Sequence, residues 1–225
     1  MKIQGLLIDF DGVLVDSTRA YMKATNIALK HSSYFNVPKD EVREFSLEIA
    51  RRLDQGISKN KLLDRLIPST SERTLAFIDI WLQTWNEACL WEVELFPETT
   101  KILDKLSKRF PLALVTLRYL KKSEIEAQLK RLEINTFFKS VITTLDVKRP
   151  KPSPDSFLEG AKHLNVPIED CIVVGDSILD IKAGKASQAK TVAVLSGIFD
   201  ESTLRKEKPD LVIQNISELP FYLEK

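Results

Sequence analysis

Hydrophobic and polar positions change period along this chain, and the change divides it. A short apolar run, Leu6-Leu7-Ile8, stops abruptly at Asp9, and comparable runs recur at 112–116, 140–144, 171–175, 191–195 and 210–213. Continuous apolar runs of this length, bounded by turn residues, read as strands buried on both faces. Between them, 99–108, 122–132 and 154–164 carry apolar residues at helical spacing, with Phe157, Ala161 and Leu164 on one face. Ser153 before Pro154 predicts a side-chain cap followed by proline at the first helical position. Strands alternating with helices call for an α/β fold, a doubly wound (Rossmann-like) parallel sheet with helices on both faces.

The stretch 17–94 has a different rhythm. Its pattern is helical throughout, with Phe77, Ile78, Trp81, Trp85 and Ala88 on one face, and no run in it reads as a strand. The predicted organisation is therefore an α/β core from 1–16 and 95–225, interrupted by a helical insertion at 17–94. Trp81, Trp85 and Trp91 all lie in the insertion and read as its core packing. Gly56 and Pro68 punctuate it, and Arg51, Arg52, Lys59 and Lys61 surround the first break. Such charges are mostly a solvated face, although one of them is a candidate to reach a ligand.

Composition narrows the partners. Over 225 residues, 33 Lys and Arg stand against 32 Asp and Glu, so no overall basic excess points to nucleic acid or to an anionic membrane. Small molecules are the expected partners, and nothing in the sequence sets an oligomeric state. Cys89 and Cys171 form neither a disulfide framework nor a zinc spacing, which fits a reducing compartment. Asp9 and Asp11 cut the first apolar run well short of a signal or membrane segment, so the expected location is the cytoplasm. His31 and His163 sit in helix-like segments away from every motif, and there is no Gly-x-Ser-x-Gly.

The chemistry lies where the buried runs end, since ligands of open α/β sheets bind beyond the carboxyl ends of the strands. Asp9-Phe10-Asp11-Gly12 puts two acids at the end of the first run, and Gly12 lets the chain leave it sharply. Thr116 closes the second run, followed by Leu117-Arg118. Lys151 stands among three prolines in Lys148-Arg149-Pro150-Lys151-Pro152-Ser153-Pro154-Asp155, and Val173-Val174-Gly175-Asp176-Ser177-Ile178-Leu179-Asp180 again runs from strand to acids. A helix cap would explain one of those two acids but not the second, four residues on.

The first of these segments, extended through Val13-Leu14-Val15-Asp16-Ser17, resembles the Asp-x-Asp-Gly-x-Leu-x-Asp-Ser motif of the haloacid dehalogenase superfamily, in its phosphatase and phosphomutase branch. Thr116, the Lys-Pro-x-Pro-Asp form around Lys151, and Gly175-Asp176-Ser177-x-x-Asp180 resemble its second, third and fourth motifs, in order. The resemblance implies strand order 3-2-1-4-5 with a sixth strand at an edge, and a helical cap at the insertion. It implies Asp9 as nucleophile, Asp11 as acid and base, and Lys151 as the cation pairing Asp9 with a phosphoryl group, with Lys148 the other cation at hand. Thr116, with Leu117 and Arg118, falls at its substrate-binding position, although Leu117-Arg118 departs from the small or amide residue common after the threonine.

Four acids around one crevice repel one another and any phosphate, so they call for a bound cation. Mg2+ is the implied ion, with Asp9, Asp11 through its carbonyl, and Asp176 as ligands and Asp180 in an outer position. The implied activity is a magnesium-dependent phosphatase for a small phosphorylated metabolite; Asp11 argues against carbon–halogen cleavage, which needs no acid for its leaving group. A β-phosphoglucomutase-like sugar phosphomutase, and a noncatalytic metabolite-binding protein on the same fold, stay open as alternatives.

Overall fold

Every apolar run of the sequence becomes a strand in the computed structural model, which describes residues 3–32, 35–55, 57–64, 66–67 and 70–223. Gly56 and Pro68, the two breaks expected in the insertion, lie outside the described residues. In chain order the strands are β1 (Gly5–Ile8), β2 (Val15–Asp16), β3 (Glu94–Leu95), β4 (Leu112–Val115), β5 (Phe138–Ile142), β6 (Cys171–Gly175), β7 (Lys190–Val194) and β8 (Leu211–Ile213). Six of them form one parallel sheet in the order β5-β4-β1-β6-β7-β8. Setting aside the two-residue β2 and β3, that is the order 3-2-1-4-5 with the sixth strand at the edge.

Because β1 lies between β4 and β6, successive connections leave it in opposite directions and open a crevice at the carboxyl ends of these strands. Leu7 of β1 faces Ala113 on one side and Val173 on the other. The ladder continues past the strand ends: Asp9 N–H donates to Val174 O at 2.9 Å, and Thr116 N–H donates to Ile142 O at 2.9 Å. The backbone that carries the first two motifs is thus held by the sheet itself.

The described α-helices are α1 (Thr18–His31), α2 (Val42–Asp54), α3 (Ser71–Trp91), α4 (Thr99–Ser107), α5 (Lys122–Arg131), α6 (Asp155–Leu164), α7 (Ile178–Ser187), α8 (Glu201–Lys206) and α9 (Leu219–Leu223), with short 3-10 turns between some of them. Phe157, Ala161 and Leu164 of α6 are buried on the sheet among Leu7, Ala113, Val115 and Val173. Burial of this kind contributes about 1.5–3 kcal/mol for each large side chain such as Phe157 or Leu164. The chain divides into two compact units, Met1–Asp16 with Glu94–Lys225, and Ser17–Val93.

The Ser17–Val93 unit holds α1, α2, α3 and a 3-10 turn at Lys59–Lys61. Phe77, Ile78, Trp81 and Ala88 of α3 are buried, and Trp81 Nε1 donates to Thr25 Oγ1 at 2.9 Å. Tyr21 stacks near both Trp81 and Trp85, with centroids 6.0 and 5.8 Å apart. Trp91 does not join this core and is 70% exposed. At roughly 100° per residue, the ten positions from Trp81 to Trp91 turn it about 80° off the buried face. Three of the four cations around the first break have partners within this unit: Arg51 pairs with Glu44 at 2.6 Å, Lys59 with Asp79 at 3.5 Å, and Arg52 Nη2 donates to Lys61 O at 3.1 Å.

Two local expectations are corrected. Ser153 does not cap α6: Pro154 occupies the cap position with no side-chain hydrogen bond, and the Ser153 hydroxyl donates to Asp155 Oδ1 at 2.8 Å. The strand expected over 140–144 runs instead from Phe138 to Ile142. Thr143 and Asp146 form a reciprocal cap, Thr143 N–H donating to Asp146 Oδ2 at 2.7 Å, which turns the chain before the β-branched pair Thr143-Thr144 can extend the strand. The antiparallel ribbon of β2 and β3, with Val15 opposite Leu95, was not predicted, because two residues show no period. Cys89 and Cys171 are buried and are not joined in a disulfide. Among the described residues no helix is long and apolar enough to cross a membrane.

Candidate active site

At the end of β1 the chain must place a carboxylate almost out of water, and what surrounds Asp9 explains how. Lys151, delivered by the proline-rich loop after β5, is wholly buried in its side chain and sets Nζ 2.7 Å from Asp9 Oδ1, 2.8 Å from Val115 O and 2.6 Å from Asp180 Oδ1. Two of these contacts are hydrogen bonds, to Asp9 and to Val115; the third, to Asp180, is an ion pair without hydrogen-bond geometry. The ring of Phe157 lies 4.9 Å from the same nitrogen, and the Lys151–Pro152 peptide bond is cis. Lys148, the other cation of the segment, is exposed.

The acids after β6 have separate holds. Ser177 caps α7, its Oγ accepting from Asp180 N at 3.2 Å, while Asp180 Oδ2 accepts from Ser177 Oγ at 2.8 Å and Ser177 N at 3.2 Å. This is a capping box with Asp180 at its third helical position. The sequence argument that a cap leaves the second acid unexplained is thereby corrected: capping accounts for one oxygen of Asp180, and Lys151 takes the other.

Asp176 Oδ2 accepts from Ile198 N at 3.3 Å. Two glycines make room for that carboxylate. A Cβ on Gly197 would stand 1.7 Å from Asp176 Oδ2, and one on Gly12, whose φ is +74°, would stand 2.3 Å from it. The Ser196 hydroxyl donates to Gly12 O at 2.6 Å, so the loop after β7 closes on the loop after β1. Sequence reasoning missed 196–198; the available signal was Ser196-Gly197 directly after a buried run whose end reaches the same edge of the sheet.

Asp11 is held from behind. Arg118 Nε donates to its Oδ2 at 2.8 Å and Nη2 to its Oδ1 at 2.7 Å, while Nη1 donates to Gln128 Oε1 of α5. The guanidinium lies 4.6 Å from the ring centroid of Phe10 and is wholly buried, whereas the Asp11 side chain is 17% exposed. Arg118 is therefore directed onto Asp11 and not toward an opening. Thr116 is buried at the end of β4, its Oγ1 accepting from Arg118 N at 3.2 Å; Leu117 is half-buried, and its carbonyl accepts from Thr144 Oγ1 at 2.7 Å.

The family model described as haloacid dehalogenase-like hydrolase matches residues 6–194, a span containing every one of these groups except the loop at 196–198. The chain belongs to the haloacid dehalogenase-like hydrolases. Within that family it is similar over almost its whole length to a pyrophosphatase, PpaX, of Bacillus velezensis, with 26% identity covering 97% of this chain and 95% of the relative. It is 28% identical to a phosphoglycolate phosphatase of Shigella boydii serotype 4, covering 96% and 91%. A solved haloacid dehalogenase-like hydrolase from Streptococcus pneumoniae shares the fold, with a TM-score of 0.77 at 20% identity and 98% of each chain covered.

Electrostatics explain what a haloacid dehalogenase-like hydrolase needs at this crevice. Burial pushes the Asp9 carboxyl up; Lys151 pulls it back, Asp180 and Asp11 push it up again, and the balance comes to about 8. For Lys151 burial opposes the charge, but Asp180 and Asp9 outweigh it and hold the ammonium protonated beyond its usual range. One ammonium among three buried acids leaves negative charge over. Asp9, Asp176 and Asp180 each bring a carboxylate oxygen within 4.8 Å of the others, an all-oxygen set suited to a hard divalent cation. Asp180 is engaged by Ser177 and Lys151, and Asp9 by Lys151 as well. His163 belongs elsewhere, its Nδ1 2.8 Å from Ser140 Oγ and its Nε2 3.1 Å from Glu159 Oε1.

Proposed function

We propose that this hydrolase is a magnesium-dependent phosphatase that cleaves a small phosphomonoester through an aspartyl-phosphate on Asp9. The observation that carries the reading is Asp9 gripped at 2.7 Å by a buried lysine, with a second, more open acid two residues on. In this reading an Asp9 oxygen attacks phosphorus, the bond from phosphorus to the leaving oxygen breaks, and Asp11 supplies the proton that oxygen takes up. Asp11 then removes a proton from water, which attacks phosphorus and frees Asp9. Lys151 and the Thr116 hydroxyl offset the charge on the phosphoryl oxygens. Asp9, Asp176 and the Asp11 carbonyl would hold Mg2+, whose chemistry here is to neutralise phosphoryl charge, with Asp180 keeping Lys151 in place. Residues 1–16 and 95–225 form the catalytic core, and 17–94 the cap that selects substrate. Buried cysteines not joined in a disulfide support a reducing, cytoplasmic setting.

The relatives' names choose the first substrates to try. Phosphate release would be followed from pyrophosphate, phosphoglycolate, sugar phosphates and nucleotides, with magnesium and with excess chelator. Metal-dependent release from at least one is expected. Isomerisation of a sugar phosphate without phosphate release would favour a phosphomutase, and turnover undiminished by chelator would sink the metal-dependent mechanism.

A further inference from the structure

We infer that Arg118 is a positioning residue for Asp11: its bidentate fork sets the plane of the acid–base carboxylate, and Gln128 and Phe10 fix the fork. The inference rests on the phosphatase reading. Its starting point is an asymmetry of exposure. The guanidinium is wholly buried and the carboxylate in front of it is 17% exposed, so Arg118 meets a substrate only through Asp11.

The geometry goes beyond charge neutralisation. Contacts of 2.8 Å from Nε and 2.7 Å from Nη2 to the two oxygens of one carboxylate define a plane as well as a distance. A lysine in the same place would offer a point charge that leaves the carboxylate to pivot. Three groups hold the fork in turn. Nη1 is tied to Gln128 on α5, the planar cation stacks 4.6 Å from Phe10, and the Arg118 N–H is tied to Thr116 Oγ1. The orientation of Asp11 is thus referred to the end of β4 and to α5 as well as to Phe10 of its own loop.

Proton transfer needs a heavy-atom separation of about 2.6–3.2 Å, and Asp11 must meet it twice, first toward the leaving oxygen and then toward water. A pivoting carboxylate would fail at both steps while leaving the attack by Asp9 intact. The deficit should therefore vanish from the first step when the leaving group needs little protonation, and persist in the second.

The experiment is rapid-mixing kinetics in magnesium buffer with 4-nitrophenyl phosphate and with an alkyl phosphate that the unmodified enzyme turns over. Arg118→Lys keeps the charge and loses the fork. It should give a burst of nitrophenolate with a rate within about threefold of the unmodified enzyme, followed by turnover about ten- to hundred-fold slower, and kcat on the alkyl phosphate should fall by a similar factor with KM little changed. A merely structural ion pair would instead lower burst amplitude and both rates together, and that result, or unchanged turnover, overturns the inference. Should Arg118→Lys not fold, Gln128→Met decides: the same split between burst and turnover is expected in milder form, and kinetics identical to the unmodified enzyme overturn the inference. An unmodified enzyme inactive on every phosphate ester removes the phosphatase reading and this inference together, whereas full activity with an unsplit variant removes only the inference.

Discussion

Asp9 is a carboxylate that the fold makes expensive to ionise, and the cost has a sign that can be measured. In the folded, metal-free protein burial holds its proton up to about 8, against an ordinary 3.8. The folded chain therefore binds that proton more tightly than the unfolded chain does, so its contribution to stability is complete below 3.8, is lost progressively as pH rises, and is gone above about 8. In excess chelator, the melting temperature of the unmodified protein should fall from acid to neutral pH relative to Asp9→Asn, which has no proton to lose. Saturating magnesium should shrink the difference; parallel curves in chelator would refute this account. Lys151 gives the second prediction at this scale. Lys151→Ala strips the ammonium from two buried acids, a change that costs about 3–5 kcal/mol when one member of a buried pair is removed, and should nearly abolish activity. Lys148→Ala, at an exposed position, should change stability by less than about 0.5 kcal/mol. Equal losses of activity in phosphate release would break the assignment. The sequence singled these residues out because the acids end buried runs and Lys151 stands in a Lys-Pro-x-Pro-Asp form that resembles a family motif. It misdirected Arg118, because nothing local says whether a cation after a strand turns outward or folds back over Phe10.

At the scale of elements, the strands were legible because burial on both faces erases polar positions, and their ends because the acids and threonine begin there. What escaped were features set by one or two side chains: the Thr143–Asp146 cap that shortens β5, the unrealised Ser153 cap, and the two-residue ribbon of β2 and β3. The loop after β7 is the functional case. Gly197 lies against Asp176 so closely that Gly197→Ala must move one or the other, the added Cβ standing 1.7 Å from Oδ2. We expect Gly197→Ala to raise the magnesium concentration needed for half-maximal activity by about ten- to hundred-fold, the range typical of outer contacts to a metal site, while excess magnesium restores much of kcat. Unaltered magnesium dependence would show that Asp176 does not ligate.

For the whole molecule, the proposed metal site would tie cation binding to folding through the same carboxylates. A cation that binds the folded chain stabilises it by about 2.7 kcal/mol at a hundred times its dissociation constant, which for a protein of this size corresponds to about 5–10 °C if folding is two-state. The chain divides into two units, and all the candidate ligands belong to the one comprising Met1–Asp16 and Glu94–Lys225. Stabilisation should therefore be unequal. Hydrogen exchange followed by mass spectrometry, with magnesium against chelator, should show slowed exchange in peptides covering 5–16, 112–118, 171–181 and 194–198, with little change in those from α1, α2 and α3. Asp176→Asn should remove most of the added protection in the first group, because it takes a charged oxygen from the cluster while leaving Lys151 paired with Asp9 and Asp180. Protection that appears equally in α1 to α3, or that survives Asp176→Asn in full, would place the cation somewhere other than between Asp9 and Asp176.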